Sequence, residues 1–211
     1  MSHNYGLISQ VDAACIEKTI DLIAKENKNG FINILEVGCY AGETGNGMRE
    51  YAKSKGFDVL LSGIDNAADR EPLRFEYDNF ILGNSVEVYN RIPDHSQHLI
   101  LVDALHTFPA VVSDYFCFAS KVKIGGYFIF HDTGKHLDPL SGWQGVGDKN
   151  DPDMCIAGVR KALSTIGLIP PPEGSMADML YQNLTRLMWE LVFDEADEND
   201  AGGGVCVFRK K

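Results

Sequence analysis

Residues 31–44 read FINILEVGCYAGET, and the fold is decided there. Phe31, Ile32, Ile34, Leu35 and Val37 make an almost unbroken apolar run, the pattern of a strand covered on both faces of a parallel sheet. Glu36 sits near its end, and Gly38 and Gly42 follow with three residues between them, ahead of a polar segment able to begin a helix. A strand, a glycine turn and a helix start together form a ligand cradle. The glycines let backbone approach closely, and the free amides of the helix start face the ligand. Glu36 selects among ligands: it repels a pyrophosphate but can hydrogen-bond an ammonium or a hydroxyl, so a nucleoside carrying positive charge suits it better than a dinucleotide.

Working outward, the chain alternates strands with helices. Before the run, Ser9-Gln-Val-Asp12 has the form of a capping box, and Ile16, Ile20 and Ile23 recur at helical spacing, which predicts an amphipathic helix over 12–25. After it, the pattern predicts a helix over 44–55 stopped by Gly56 and a buried strand over 59–64. A short strand over 80–82 precedes a brief helix capped by Ser85. A strand over 99–102, a helix over 111–122 opened by Pro109, a Gly125-Gly126 turn and a strand over 127–130 follow. A helix over 155–166 comes next, and strands over 186–193 and 205–209 close the chain as a hairpin.

This alternation predicts an α/β fold with an open, mostly parallel sheet, which binds ligands at the carboxyl ends of its strands. Polar residues gather at those ends: Glu36 with the glycine loop, then Asp65, Asn84 and Ser85, Asp103, and His131 with Asp132. The stretch 133–153 is rich in Gly, Asp and Pro and has no periodicity, as expected of a lid or binding loop. Together with the N-terminal region beside Lys28, it is expected to cover the pocket of a ligand, with Trp143 stacking on that ligand or pinning the loop.

The bulk properties set limits. A chain of 211 residues with 45% hydrophobic and 23% charged residues is expected to fold as one globular domain spanning 1–211. Neither a signal peptide nor a membrane span is indicated, so a cytoplasmic protein is expected. Five scattered cysteines without a CxxC pair argue against a disulfide framework or a cysteine zinc site. A formal charge of −11 argues against a nucleic-acid partner. Homo-oligomer formation is compatible with all of this.

Glu36-Val-Gly38-Cys-Tyr-Ala-Gly42 resembles the first motif of class I S-adenosylmethionine-dependent methyltransferases. The resemblance implies a three-layer, Rossmann-like, seven-stranded sheet ending in an antiparallel hairpin. It also implies cofactor contacts from Glu36, Gly38 and Gly42, from Asp65 to the ribose hydroxyls, from Asn84 or the backbone around Ser85 to the adenine edge, and from Asp103 beside the methyl group. Asn84 departs from the aspartate more usual there. A narrower likeness lies in Val102-Asp103-Ala-Leu-His106, Asp114 and Gly125-Gly126-Tyr-Phe-Ile-Phe-His131-Asp132-Thr133. It is similar to a small-molecule O-methyltransferase branch that includes macrocin O-methyltransferases and cephalosporin-hydroxylase-like proteins, several of which use a divalent metal to hold the acceptor hydroxyl.

The expected activity is therefore methyl transfer from S-adenosylmethionine to an oxygen of a small polar metabolite. Asp103 and Asp132 would hold a cation, since two close carboxylates repel unless a proton or a cation neutralises them. Magnesium is the natural choice, with manganese or calcium also fitting, and Thr133, Asp138 or water completing the shell. His106 or His131 would take the acceptor's proton. A nicotinamide-dependent oxidoreductase is disfavoured by the Gly38-x-x-x-Gly42 spacing and by Glu36. A non-catalytic binding protein on the same scaffold is the third reading.

Overall fold

The structure, a computed structural model, describes residues 3–67, 77–134, 158–169, 186–195 and 203–211. The apolar run at the centre of the sequence forms β1, Phe31–Val37. Around it lie α1 (Gln10–Glu26), α2 (Glu43–Ser54), β2 (Asp58–Asp65), β3 (Asn79–Leu82), α3 (Ser85–Val88), β4 (Gln97–Val102) and α4 (Phe108–Phe118). The chain continues with β5 (Val122–His131), α5 (Gly158–Thr165), β6 (Trp189–Glu195) and β7 (Val205–Lys210). The strands make one seven-stranded sheet in the order β3-β2-β1-β4-β5-β7-β6. β1 to β5 run parallel, whereas β7 is antiparallel to both β5 and β6. This is the predicted α/β sheet with its C-terminal hairpin.

Two apolar cores, one on each face, explain why the central strands read as continuous runs. Alternate side chains of β1 divide between them: Leu35 and Val37 join Ile100, Phe128 and Phe130 on one face, while Ile32 and Ile34 join Ile16, Ile20 and Ile129 on the other. Each fully buried aliphatic or aromatic side chain contributes roughly 1.5–3 kcal/mol relative to exposure. Among the described residues, no helix is long and apolar enough to cross a membrane.

Several local expectations are corrected. α4 ends at Phe118, and Val122, expected to be its last residue, instead begins β5. Gly125-Gly126 is not a turn before that strand but an irregularity inside it. Gln97 pairs with Val122 and Leu99 already pairs with Tyr127, and Gly125 takes a positive φ of 77°, so a short bulge absorbs the extra residues. The segment expected as strand 186–193 opens with a helical turn, Arg186–Met188, before β6. Ser85 does not cap α3: Asn84 holds the cap position without a side-chain bond, and the Ser85 hydroxyl donates elsewhere. Trp143, Asp138 and nearly all of the 133–153 loop lie outside the described residues.

Candidate active site

The carboxyl ends of β1, β2, β4 and β5 open onto two clefts that share Gly38, Tyr40, Asp103 and Ala104. The larger, of about 700 Å³, runs past Asp65, Asn84, Ser85 and Asp114. The smaller, of about 440 Å³, is lined by Gly6, Leu7, Ile8, His106, His131 and Asp132. Lys28 stands at the opposite end of β1, exposed just ahead of the strand. The expectation that its surroundings cover the pocket is therefore wrong, and the N-terminal residues at the cleft come from before α1.

The glycine loop is fixed by close packing. Gly38 has a φ of 90°, and a Cβ there would lie 2.2 Å from the Asp103 carbonyl oxygen, so a branched side chain would displace the end of β4. Gly38→Val is thus expected to disturb the fold as well as the approach of a ligand. Gly42, at φ 78°, begins α2. Asp65 locks the loop from β2: its Oδ2 accepts from the amides of Cys39 (2.9 Å) and Tyr40 (3.0 Å), and its Oδ1 accepts from the Ala67 amide (2.9 Å). Each carboxylate oxygen has two acceptor positions, so Oδ1 retains one. Tyr40 itself takes a positive φ of 44°, an uncommon conformation for an aromatic residue, of the kind that clusters at functional sites.

Glu36 is buried behind this loop and accepts the Tyr77 hydroxyl proton in a hydrogen bond. Burial pushes its carboxyl up to about 8, against the opposing pull of Tyr77 and of the Gly45 amide. A Cβ at Gly45 would lie 2.5 Å from Glu36 Oε2 and 2.6 Å from the Tyr77 hydroxyl, so a side chain there would displace this pair. At the end of β3, Asn84 is exposed. The Ser85 hydroxyl donates to Asp114 Oδ1 at 2.7 Å, and burial raises the Asp114 carboxyl to about 6, with the Ser85 bond opposing.

The smaller cleft holds a charge network. Asp103 Oδ1 lies 3.1 Å from both His106 Nε2 and His131 Nδ1. His106 Nδ1 reaches Asp132 Oδ2 at 2.9 Å, so this imidazole bridges the carboxylates that follow two adjacent parallel strands. Asp132 reaches it from a positive φ of 54°. Burial opposes the imidazolium form of His106, but the bonds to Asp103 and Asp132 prevail and raise it to about 9. His131 is likewise held well above its ordinary value, burial being outweighed by Asp103 and Asp12. Burial also opposes ionisation of Asp103, and the two histidines more than reverse it, leaving the carboxyl well below its usual range.

A cation fits this donor set. Asp103, His131 and Asp132 each offer one ligand atom, and the three atoms lie within 4.8 Å of one another. The carboxylates and the imidazole would hold it, and the positive charge now supplied by the histidines is the charge it would bring.

Sequence reading quoted Asp114 only within the resemblance, with no role for it, and missed the role of Asp12 altogether. Asp114 interrupts the otherwise apolar α4 sequence FPAVVSDYFCF, and a carboxylate in so apolar a helix is itself a signal of a buried role. Asp12 carries no comparable signal. It lies in the first turn of α1, where acidic residues are common, and Ser9 Oγ accepts its amide as a capping box predicts. Its side chain, however, is fully buried against His131.

Comparisons with known proteins bear on the fold that carries this geometry. Residues 35–133, somewhat less than half of the chain, match the family described as "Methyltransferase domain". No curated protein matches the chain in sequence. Among solved structures, a Corynebacterium glutamicum protein aligns over 98% of this chain and 83% of its own, with a TM-score of 0.60 and 16% identity. An O-methyltransferase from Bacillus cereus in complex with SAH covers 100% and 84%, with a TM-score of 0.59 and 13% identity. MycE, a methyltransferase of the mycinamycin biosynthetic pathway in complex with Mg, SAH and mycinamycin VI, covers 98% of this chain but only 50% of its own, with a TM-score of 0.55 and 15% identity. The matched segment is similar to a methyltransferase domain, and the fold of the described residues is the one these solved methyltransferases share. The likeness in fold extends to the whole described sheet.

Proposed function

We propose that the chain transfers the methyl group of S-adenosylmethionine to an oxygen of a small polar acceptor, with a divalent cation at Asp103 and Asp132. The observation that carries this reading is the meeting of the two clefts at Gly38, Tyr40, Asp103 and Ala104. On one side lie the groups suited to a nucleoside, on the other paired carboxylates and imidazoles. Asp65 would hold the ribose through its remaining acceptor position, with Asn84 and Ser85 beside the adenine.

The sulfonium carries its own activation, so the protein's task is to align acceptor, methyl and sulfur and to remove a proton. A cation bound at the carboxylates would lower the pKa of the acceptor hydroxyl. Asp103 and Asp132 would hold it, and His106 is the base in this reading. Its side chain is 25% exposed against 9% for His131, and it could accept a proton only once the cation, in place of its own proton, neutralises Asp103 and Asp132.

The experiment is to supply the protein with S-adenosylmethionine and a metabolite extract and to search by mass spectrometry for compounds that gain a methyl group while S-adenosylhomocysteine is released. Chelation with EDTA is expected to stop release, and magnesium or manganese to restore it. Binding of cofactor with no methylated product across a broad extract, metal supplied, would instead support a non-catalytic role.

A further inference from the structure

We infer that His131 is a nitrogen ligand in the metal shell and that Asp12, from α1, is the positioning residue that aims it there. The inference rests on the metal reading above and deepens it. It starts from a carboxylate that has no part in the motifs. Asp12 is 0% exposed, and an isolated carboxylate is expensive to bury. Its Oδ2 accepts from the Gly204 amide at 3.1 Å and faces His131 Nε2 at 3.1 Å. A carboxylate can only accept, so Nε2 carries the proton of this pair. The Gly204 amide is in turn fixed at the end of β5, because its carbonyl accepts from the Thr133 amide at 3.1 Å.

The tautomer follows. With hydrogen on Nε2, a neutral His131 presents the lone pair of Nδ1 to Asp103 Oδ1 at 3.1 Å and Asp132 Oδ1 at 3.4 Å. Three electron-rich atoms then converge on one point, which is tolerable only with a proton or a cation among them. A carboxylate behind an imidazole whose other nitrogen faces a cation is the arrangement by which metal-binding histidines are oriented and made more basic. The sequence named Thr133, Asp138 or water to complete the shell, and the position of His131 adds an imidazole to those candidates. The two carboxylates suit magnesium and manganese, and the imidazole adds a donor suited to later transition metals, so Mn²⁺ serves as a paramagnetic probe of the shell.

The test uses the whole protein with Mn²⁺ alone and needs no turnover. Pulsed electron paramagnetic resonance of bound Mn²⁺ should show coupling to one imidazole nitrogen. The coupling should persist in His106→Gln and disappear in His131→Gln. Asp12→Asn, checked for folding by circular dichroism, should bind Mn²⁺ about 10- to 100-fold more weakly while its affinity for S-adenosylmethionine is unchanged. Mn²⁺ that binds without nitrogen coupling, or whose coupling is lost in His106→Gln, overturns the inference and leaves the metal reading standing. Unchanged Mn²⁺ affinity in folded Asp12→Asn removes Asp12 from the site. Failure of both Mn²⁺ and Mg²⁺ to bind the wild-type protein overturns the metal reading itself.

Discussion

The two clefts that meet at Gly38 and Asp103 are held in shape by different means. In the larger, the Asp65 carboxylate receives three backbone amides, so its position is set by the same turns that fold the chain. In the smaller, Asp12, Asp103, Asp132 and two imidazoles hold one another, side chain to side chain. Backbone-anchored groups are in place before any ligand arrives. Mutually held charges depend on what neutralises them. Damage to the first cleft should therefore show in cofactor binding and stability together, and damage to the second in metal binding and chemistry with cofactor affinity kept.

The largest effect should sharpen that contrast. Asp132→Asn is expected to slow S-adenosylhomocysteine release by about 100-fold or more, the scale of losing a principal electrostatic group in a reacting site. Its affinity for S-adenosylmethionine, measured by calorimetry, should hardly move. Asp103→Asn should slow release as strongly. Normal turnover in both would take the network out of the mechanism and erase the difference between the clefts.

Next in size is Asp65→Ala. Loss of a charge-assisted bond worth roughly 1.5–3 kcal/mol weakens cofactor binding by about 10- to 100-fold. The amides of Cys39 and Tyr40 lose their acceptor at the same time, so the melting temperature should fall with the affinity. Weaker binding at an unchanged melting temperature would mean that the loop does not need its carboxylate anchor.

Smaller effects concern pH. Burial raises Glu36 from 4.5 to about 8, so its protonated carboxyl favours the folded state fully below the unfolded value, and that contribution is lost as pH rises through 8. Denaturant unfolding should show Glu36→Gln gaining on the wild type between pH 5 and 8. A constant difference over that window would show that the carboxyl is not held protonated. Asp114, raised from 3.8 to about 6, should behave the same way on a smaller scale, with Asp114→Asn gaining on the wild type between pH 4 and 6.

What could be read in the residues and what could not divide along physical lines. The sheet was legible because a strand buried on both faces must be apolar throughout, and the runs at 31–37, 59–64, 99–102 and 127–130 meet that demand locally. Polar residues at the ends of those runs were equally plain, so Glu36, Asp65, Asp103, His131 and Asp132 could be named before any fold was known. Element boundaries were less so. Gly125-Gly126 serves a turn or a bulge equally well, and only the pairing of β5 with β4 chose the bulge.

The network beside β5 was beyond local reading. Asp12 meets His131 across 119 positions of chain, and Ser85 meets Asp114 across 29. Nothing in either residue's neighbours announces such a partner. Gly38 likewise fits a nucleotide loop by its spacing, but the carbonyl of Asp103 that forbids a side chain there comes from another strand. Sequence alone determined which strands exist and which polar groups end them, because burial acts on each segment separately. Tertiary structure decided which of those groups touch, because that depends on the order of strands in the sheet and on the helix laid across its end.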